Sequence, residues 1–438
     1  MAYTDRYETY LKESITDLGK SRDSDSRIVF GYTSDTDVLL TYDETAFNEI
    51  LKNYMKTDMY CRADDVIDSM ETFARFVTYY MSNGLGGEAD IVNEEVVQYL
   101  LSHFRTQYSL GGTCAQGAAA LGTVGMPLIV QISDKCEKVC ELMDYPGLEC
   151  IRDGKPVPIR EIAEGEPVYH IIFSYTKGDT FRIGDTVYTV PVSNRLILDY
   201  DTIHKDIVVE EDFKRYIEDH AQNMISYNIS GFNAIVDTEL TERRMEELGR
   251  HYSTVKEKNP DCKIYFESAH YLSPDVKHIV YREISRYVNV MGMNEEELVA
   301  HTKECGASLD NSSLSDVLRG MELLIEKYQV NGIILHTKDY SMYYGDAMTG
   351  TNIEKGLTMG NLLSGTRARV GHYGNLEEIR DSLQCPLSEV GLAFAQELEQ
   401  MKLERSACLV PSRYMDKPVC TIGLGDTFVA GVQFGFIR

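Results

Sequence analysis

Tryptophan is absent from the 438 residues, proline is scarce at 11, and cysteine numbers only 10. The first absence removes tryptophan fluorescence as a reporter of motion. The second leaves no proline-rich linker to divide the chain, so a second domain is expected as an insertion. Ten cysteines in a chain of this length are too few for a disulfide scaffold, and their spacings match no metal cluster. Cys136 and Cys140 form the only close pair, and with no second pair or nearby histidine they read as buried thiols. Basic residues are in deficit too: 43 Lys and Arg against 69 Asp and Glu leave a formal charge of −26. Nucleic acid and anionic membranes are held by Lys and Arg, so neither is an expected partner. No run approaches the roughly 18 apolar residues of a membrane span, and the opening MAYTDRYETYLKESITDLGKSRDSDSR lacks the apolar stretch of a signal peptide. The expected compartment is the cytoplasm.

What is present is ordinary globular composition, 43% hydrophobic and 26% charged, in a chain longer than one domain of about 150 residues. From about Leu240 onward strand and helix text alternate. LTERRMEELGRHYSTVKEK, SPDVKHIVYREISRYV, NEEELVAHTKE and SLSDVLRGMELLIEKYQ read as helices; CKIYFES, NVMGM and VNGIILHT read as buried strands. Such alternation predicts a mostly parallel sheet with helices on both faces. Between about Glu161 and Ile207 the text changes to short β-rich runs, VYHIIFSY, TFRIGD, TVYTVPV and NRLILDYD, broken by Gly and Asp. They predict a small sheet projecting as a lid, to which the mostly helical residues 35–110, after the strand-like GYTSDTDVLL, are also assigned.

The chemistry-bearing motif is near the C-terminus, in LVPSRYMDKPVCTIGLGDTFVAGVQFGF. Val419 to Ile422 read as a strand end, Gly423-Leu424-Gly425 as a tight turn, and Asp426 onward as a helix. Glycines let the backbone approach a ligand, and unpaired amides at a helix start favour an anion. Asp426 would add a base beside such an anion hole, a pairing suited to moving a phosphoryl group onto a hydroxyl. The same letters also describe a structural turn capped by Asp.

GLGDTFVAG resembles the C-terminal signature of the ribokinase-like sugar kinases, and VPSRYMDKPVCTIGLGDT is similar to that of their ADP-dependent branch, the glucokinases and phosphofructokinases. Other segments agree in order: NVMGMNEEEL with the branch's NxxE motif, IYFES with its HxE segment, LGGTCAQGAAALGTVG with its glycine pair, VYHIIFSY and SNRLILDYD with its lid strands, and ILHTKDY with a nucleotide-side strand. The resemblance runs from about Tyr32 to the end. It implies a three-layer α/β/α large domain over 1–34, 111–150 and 209–438, and a β-rich lid over 35–110 and 151–208.

The resemblance also implies roles. Asp426 would be the catalytic base, with Gly423 and Gly425 shaping the amide hole for a loose transition state. Glu297 and Glu267 would hold Mg2+, mostly through its waters, and Asn294 and Leu424 would lie beside the nucleotide. Arg195 would bring a planar charged fork to the phosphates; an exposed strand arginine is the plainer reading. On the sugar side stand Asp37, Glu88, Gly112 and His170. His336 and Thr337 close an apolar strand, where an open α/β sheet places ligands; capping the strand is the equal alternative. The bland reading of Asn294 and Glu297 is a capped helix start.

Two departures stand out. Tyr265 occupies the position of the family's HxE histidine, with Glu267 retained, and nothing matches the P-loop GxxxxGK[ST]. In so acidic a protein the phosphates need a local basic island, for which Arg195, Lys177 and Arg182 are candidates. The expected reaction takes the β-phosphoryl group of ADP to glucose, fructose 6-phosphate or both, releasing AMP, in a monomer, with a dimer as the alternative. An ATP-dependent ribokinase-like kinase and a catalytically silent sugar- or nucleotide-binding regulator are the alternatives.

Overall fold

The computed structural model describes residues 2–55 and 66–438. The chain divides into two compact units, one made of Met1–Ser34, Gly112–Glu164 and His204–Arg438, the other of Asp35–Gly111 and Gly165–Ile203. Residues 56–65, within the expected lid, lie outside the described residues.

The first unit is built on a ten-stranded sheet. Its order is Ser406–Pro411, Tyr340–Gly345, Gly332–His336, Val290–Asn294, Lys263–Glu267, Met224–Ile229, Arg27–Gly31, Leu128–Val130, Leu148–Arg152 and Lys155–Pro158. From Gly332–His336 across to Leu148–Arg152 all neighbours are parallel; the outer strands are antiparallel. The parallel strands are short apolar runs, because helices cover both faces and leave no side for polar residues. Ile264, Phe266, Met291, Met293, Ile333 and Leu335 join one core cluster with side chains from the helices Thr238–Lys258, Pro274–Ile284 and Leu314–Tyr328. The expected alternation of strand and helix is therefore what forms.

The chain passes from Arg27–Gly31 outward to one edge, then returns to Met224–Ile229 and proceeds toward the other. That reversal places a crevice at the carboxyl ends of the central strands, the usual ligand position in such sheets.

The second unit has a six-stranded mixed sheet, ordered Val66–Ile67, Gly87–Ile91, Asn194–Tyr200, Tyr169–Tyr175, Asp35–Thr41 and Arg105–Gly111, and the hairpin Thr180–Ile183 with Thr186–Thr189. Val38, Leu40, Ile171, Phe173, Leu196 and Leu198 alternate onto one face and pack with Phe47, Phe73 and Val97 of its helices. Each helix starts at a capping side chain, Asp43, Ser69 or Asn93.

The units differ from the expected boundaries at residue 111, which falls in the second unit, and at residues 151–164 and 204–208, which fall in the first unit rather than the lid. The reason is pairing: Leu148–Arg152 extends the large sheet beside Leu128–Val130, and Lys155–Pro158 folds back on it. Cys136 and Cys140 are buried and in no disulfide, and burial pushes the Cys140 thiol up to about 12.

Candidate active site

In the first unit, three adjacent parallel strands end in polar residues: Lys263–Glu267 in Glu267, Val290–Asn294 in Asn294 and Gly332–His336 in His336. Asn294 and His336 are in register. His336 Nε2 bonds Glu267 Oε1 at 2.8 Å, and the Tyr265 hydroxyl donates to Glu267 Oε2 at 2.7 Å. Both oxygens of this buried carboxylate are thus engaged. Burial works against the His336 imidazolium, but the Glu267 carboxylate outweighs it and raises the pKa.

Asn294 and Glu297 form a reciprocal capping box. Asn294 Oδ1 accepts from the backbone N–H of Glu296 and Glu297, each at 2.9 Å, and Glu297 Oε2 accepts from the Asn294 N–H at 3.0 Å. The bland reading of this motif is therefore physically realised, and it also fixes Glu297 close to Glu267. Burial, and next the Glu267 charge, raise the Glu297 pKa to about 7. A buried and a half-buried carboxylate repelling one another are an oxygen-donor set suited to a hard cation.

Thr337 makes the tight turn after its strand, donating to the Tyr340 carbonyl at 3.0 Å and accepting from the N–H of Asp339 and Tyr340 at 3.1 Å. The turn role weighed for it is thus present, yet it still lines a cleft of about 570 Å3 together with Asn294, His336, Leu424 and Gly425. That volume suits a mononucleotide-sized ligand. A groove of about 610 Å3 runs along the helices Thr238–Lys258 and Pro274–Ile284, but none of these strand ends lines it and its Arg250, Arg282 and Arg286 are paired with glutamates.

The helix after the glycine motif begins at Leu424, two residues earlier than expected, with Gly423 as its N-cap at φ +67°. Asp426 therefore stands in the first turn and not at the cap. Val419–Ile422 is not a strand: the amides of Val419 and Cys420 turn to the carbonyl of Ala368 instead of a sheet neighbour. The first helical hydrogen bond runs from Thr427 N–H to Gly423 O at 3.0 Å, so the amides of Leu424, Gly425 and Asp426 precede it and point out of the helix start. Gly423 must be glycine, since a Cβ there would strike Gln116 and the Arg367 guanidinium. Gly425 lies beside His336, whose Cε1 would be 3.1 Å from a Cβ.

Burial raises the Asp426 pKa, against the pull of Arg367 and the Thr113 hydroxyl. Arg367, buried, donates to Gly423 O and Thr427 Oγ1, both at 3.1 Å, and its guanidinium lies 4.5 Å over the Tyr373 ring. Gly112, with φ +84°, caps the helix Thr113–Gly122, and a Cβ there would run into the Thr33 carbonyl. Arg367, Tyr373 and Gln116 were not marked in the sequence; each comes from a segment distant from the glycine motif.

In the second unit, register places Ser109, Asp37, His170, Asp199 and Asp90 in one row across five strands. Glu88 and Arg195 lie two and four residues along that register, so four of the expected sugar and phosphate residues, Asp37, Glu88, His170 and Arg195, share one face of this sheet. His170 Nδ1 is 3.1 Å from Asp35 and 3.8 Å from Asp37, and Nε2 is 3.9 Å from Asp199. Burial opposes its charge, yet Asp35, Asp199 and Asp37 raise it to about 9. Burial in turn raises Asp199 to about 6. Arg195, Lys177 and Arg182 are exposed.

An open, mostly parallel α/β sheet, with an acidic residue in the first turn of a glycine-capped helix beside a cleft at the strand ends, has the parts that a phosphotransferase with an alcohol acceptor needs. The chain matches the ADP-specific phosphofructokinase/glucokinase conserved region over residues 26–434. It belongs to that family. The ADP-specific phosphofructokinase of Thermococcus kodakarensis is 24% identical over 403 residues, covering 85% of this chain and 86% of its own length. The ADP-dependent glucose/glucosamine kinase of Pyrococcus abyssi is 22% identical over 456 residues, covering 98% and 97%. In three dimensions the fold is similar to that of a Pyrococcus horikoshii phosphofructokinase with AMP, at a TM-score of 0.81 and 21% identity over 94% of this chain and 98% of the other.

Proposed function

We propose that the enzyme transfers the β-phosphoryl group of ADP to a hydroxyl of a hexose or hexose phosphate and releases AMP. The observation that carries this reading is Asp426, a half-buried carboxylate held by Gln116 in the first turn of a helix, beside three outward-pointing amides. The sugar oxygen attacks the β-phosphorus, the bond from phosphorus to the oxygen bridging the α-phosphate breaks, and Asp426 takes the hydroxyl proton. The amides following Gly423 receive the charge spread over the transferred group. Asn294, His336, Thr337 and Leu424 border the nucleotide cleft.

Glu297 and Glu267 would hold Mg2+ through its waters, since Oε2 of one and both oxygens of the other are already engaged, and the ion when bound would offset phosphate charge. Arg195 is read as the phosphate-facing guanidinium of the lid. Asp37, Glu88 and His170 on the same sheet face, with Gly112, are read as the sugar contacts. Both acceptors named among the relatives remain in this reading: Glu88 serves the hydroxyls of glucose, and Lys177 and Arg182 the phosphate of fructose 6-phosphate. The enzyme is read as a cytoplasmic monomer, with a dimer as the alternative; no disulfide joins the nine described cysteines, which suits a reducing compartment.

The test is Asp426→Asn. ADP binding by calorimetry is expected to persist while turnover falls by about 10²- to 10⁴-fold. Wild-type protein that binds ADP and sugar but never turns over would instead support the silent regulator.

A further inference from the structure

The helix Thr113–Gly122 is made of small and apolar residues except for one long polar side chain, Gln116, which is only 4% exposed. A buried amide has to be satisfied, and this one is satisfied by groups far away in the chain. Its Nε2 donates to Asp426 Oδ2 at 2.7 Å, across 310 positions, and its Oε1 accepts from the Tyr373 hydroxyl at 3.3 Å. The tyrosine hydroxyl thereby favours the amide orientation in which the N–H, and not the carbonyl, meets the carboxylate. Arg367 supports the far side by lying over the Tyr373 ring and holding the carbonyl of Gly423. Helix contact is close enough for this because Gly117 leaves room: a Cβ there would lie 2.8 Å from the Phe30 ring and 3.5 Å from the Asp426 carbonyl.

We propose that Gln116, oriented by Tyr373, is a positioning residue for the base. It occupies one oxygen of Asp426 and thereby turns the other toward the acceptor hydroxyl. This rests on the reading of Asp426 as the base. The Thr113 hydroxyl also lies on this carboxylate, and the Gln116 amide on Oδ2 adds the contact that holds the group in one orientation for proton capture.

The experiment compares Gln116→Leu, Gln116→Glu, Tyr373→Phe and the Gln116→Leu/Tyr373→Phe pair with wild type and Asp426→Asn, measuring kcat, KM for ADP and sugar, and melting temperature. Gln116→Glu keeps the shape but replaces the donor with a second carboxylate, so a space-filling role predicts that it is tolerated. The positioning role predicts that both Gln116 variants lose about 10- to 100-fold in kcat with each KM within about 2-fold. Tyr373→Phe is expected to lose less alone, and nothing further once Gln116 is leucine. Wild-type kcat in both Gln116 variants, with Asp426→Asn inactive, overturns the positioning role and leaves the base in place. Activity in Asp426→Asn overturns the base itself. If the leucine variant does not fold, Gln116→Glu and Tyr373→Phe decide alone.

Discussion

The hydroxyl of Tyr265 donates to Oε2 of Glu267 at 2.7 Å, two residues along the same strand and on the same face. Gly292, on the neighbouring strand, makes this possible, because a Cβ there would fall inside the van der Waals radii of both the hydroxyl and the carboxylate. With His336 on the other oxygen, Glu267 is fixed from two sides. Tyr265 thus gives the buried glutamate a hydrogen-bond partner on its own strand.

Tyr265→Phe removes that donor from a buried carboxylate and is expected to cost about 1–3 kcal/mol of stability. Gly292→Ala pushes a methyl group into the same pair and is expected to cost a similar amount, about 1–3 kcal/mol. Chemical denaturation of both variants and of the double variant checks this. The double variant should destabilise by less than the sum, because the phenylalanine has no hydroxyl to collide with.

His170 gives a pH dependence with a definite sign. Its pKa is raised from 6.5 to about 9 by the carboxylates around it, so the folded state holds the proton more tightly than the unfolded chain. The stabilisation is complete below pH 6.5 and is lost as the pH rises through about 9. Asp199, raised from 3.8 to about 6, acts in a lower window, its contribution being lost as the pH rises through 6. Melting temperatures of wild type and His170→Gln should converge from pH 6.5 toward 9.5, about half a unit beyond the raised pKa. Parallel curves would contradict the assignment.

Gly423→Ala is expected to be costly twice over. Its φ of +67° disfavours any side chain, and the methyl group would displace Gln116 and Arg367. The strain alone costs about 1–3 kcal/mol, and kcat should fall with it because the displaced side chains flank Asp426. Steady-state kinetics on folded variant checks the second effect.

The proposed sugar contacts assign acceptor choice to residues of the second unit. Glu88→Ala should lower kcat/KM for glucose more than for fructose 6-phosphate, whereas Lys177→Ala with Arg182→Ala should do the reverse. Equal losses for both sugars would remove these residues from specificity.

The fold was legible because buried parallel strands such as KIYFE and GIILH are apolar at their centres while the helices between them keep a 3.6-residue period. The glycine motif was legible because Gly423 needs a conformation that few other residues take. The boundary near residue 151 was misread because Lys155–Pro158 is a hairpin return on the large sheet, and its β-rich text is the same whichever sheet it joins. Asn294 and Glu297 form the capping box that their letters describe, and the same letters set the Glu297 carboxylate within the field of Glu267. Gln116, Tyr373 and Arg367 left no local signal. Their partnership spans segments that meet only in three dimensions, and a glutamine among alanines has no period to reveal it.

The most direct measurement is a set of initial rates with Mg2+, crossing ADP or ATP with glucose or fructose 6-phosphate, for wild type and Asp426→Asn. The account predicts AMP formed from ADP in the presence of at least one sugar, and its loss in the variant. A folded wild-type protein with no turnover in any combination, or turnover from ADP that survives Asp426→Asn, would contradict it.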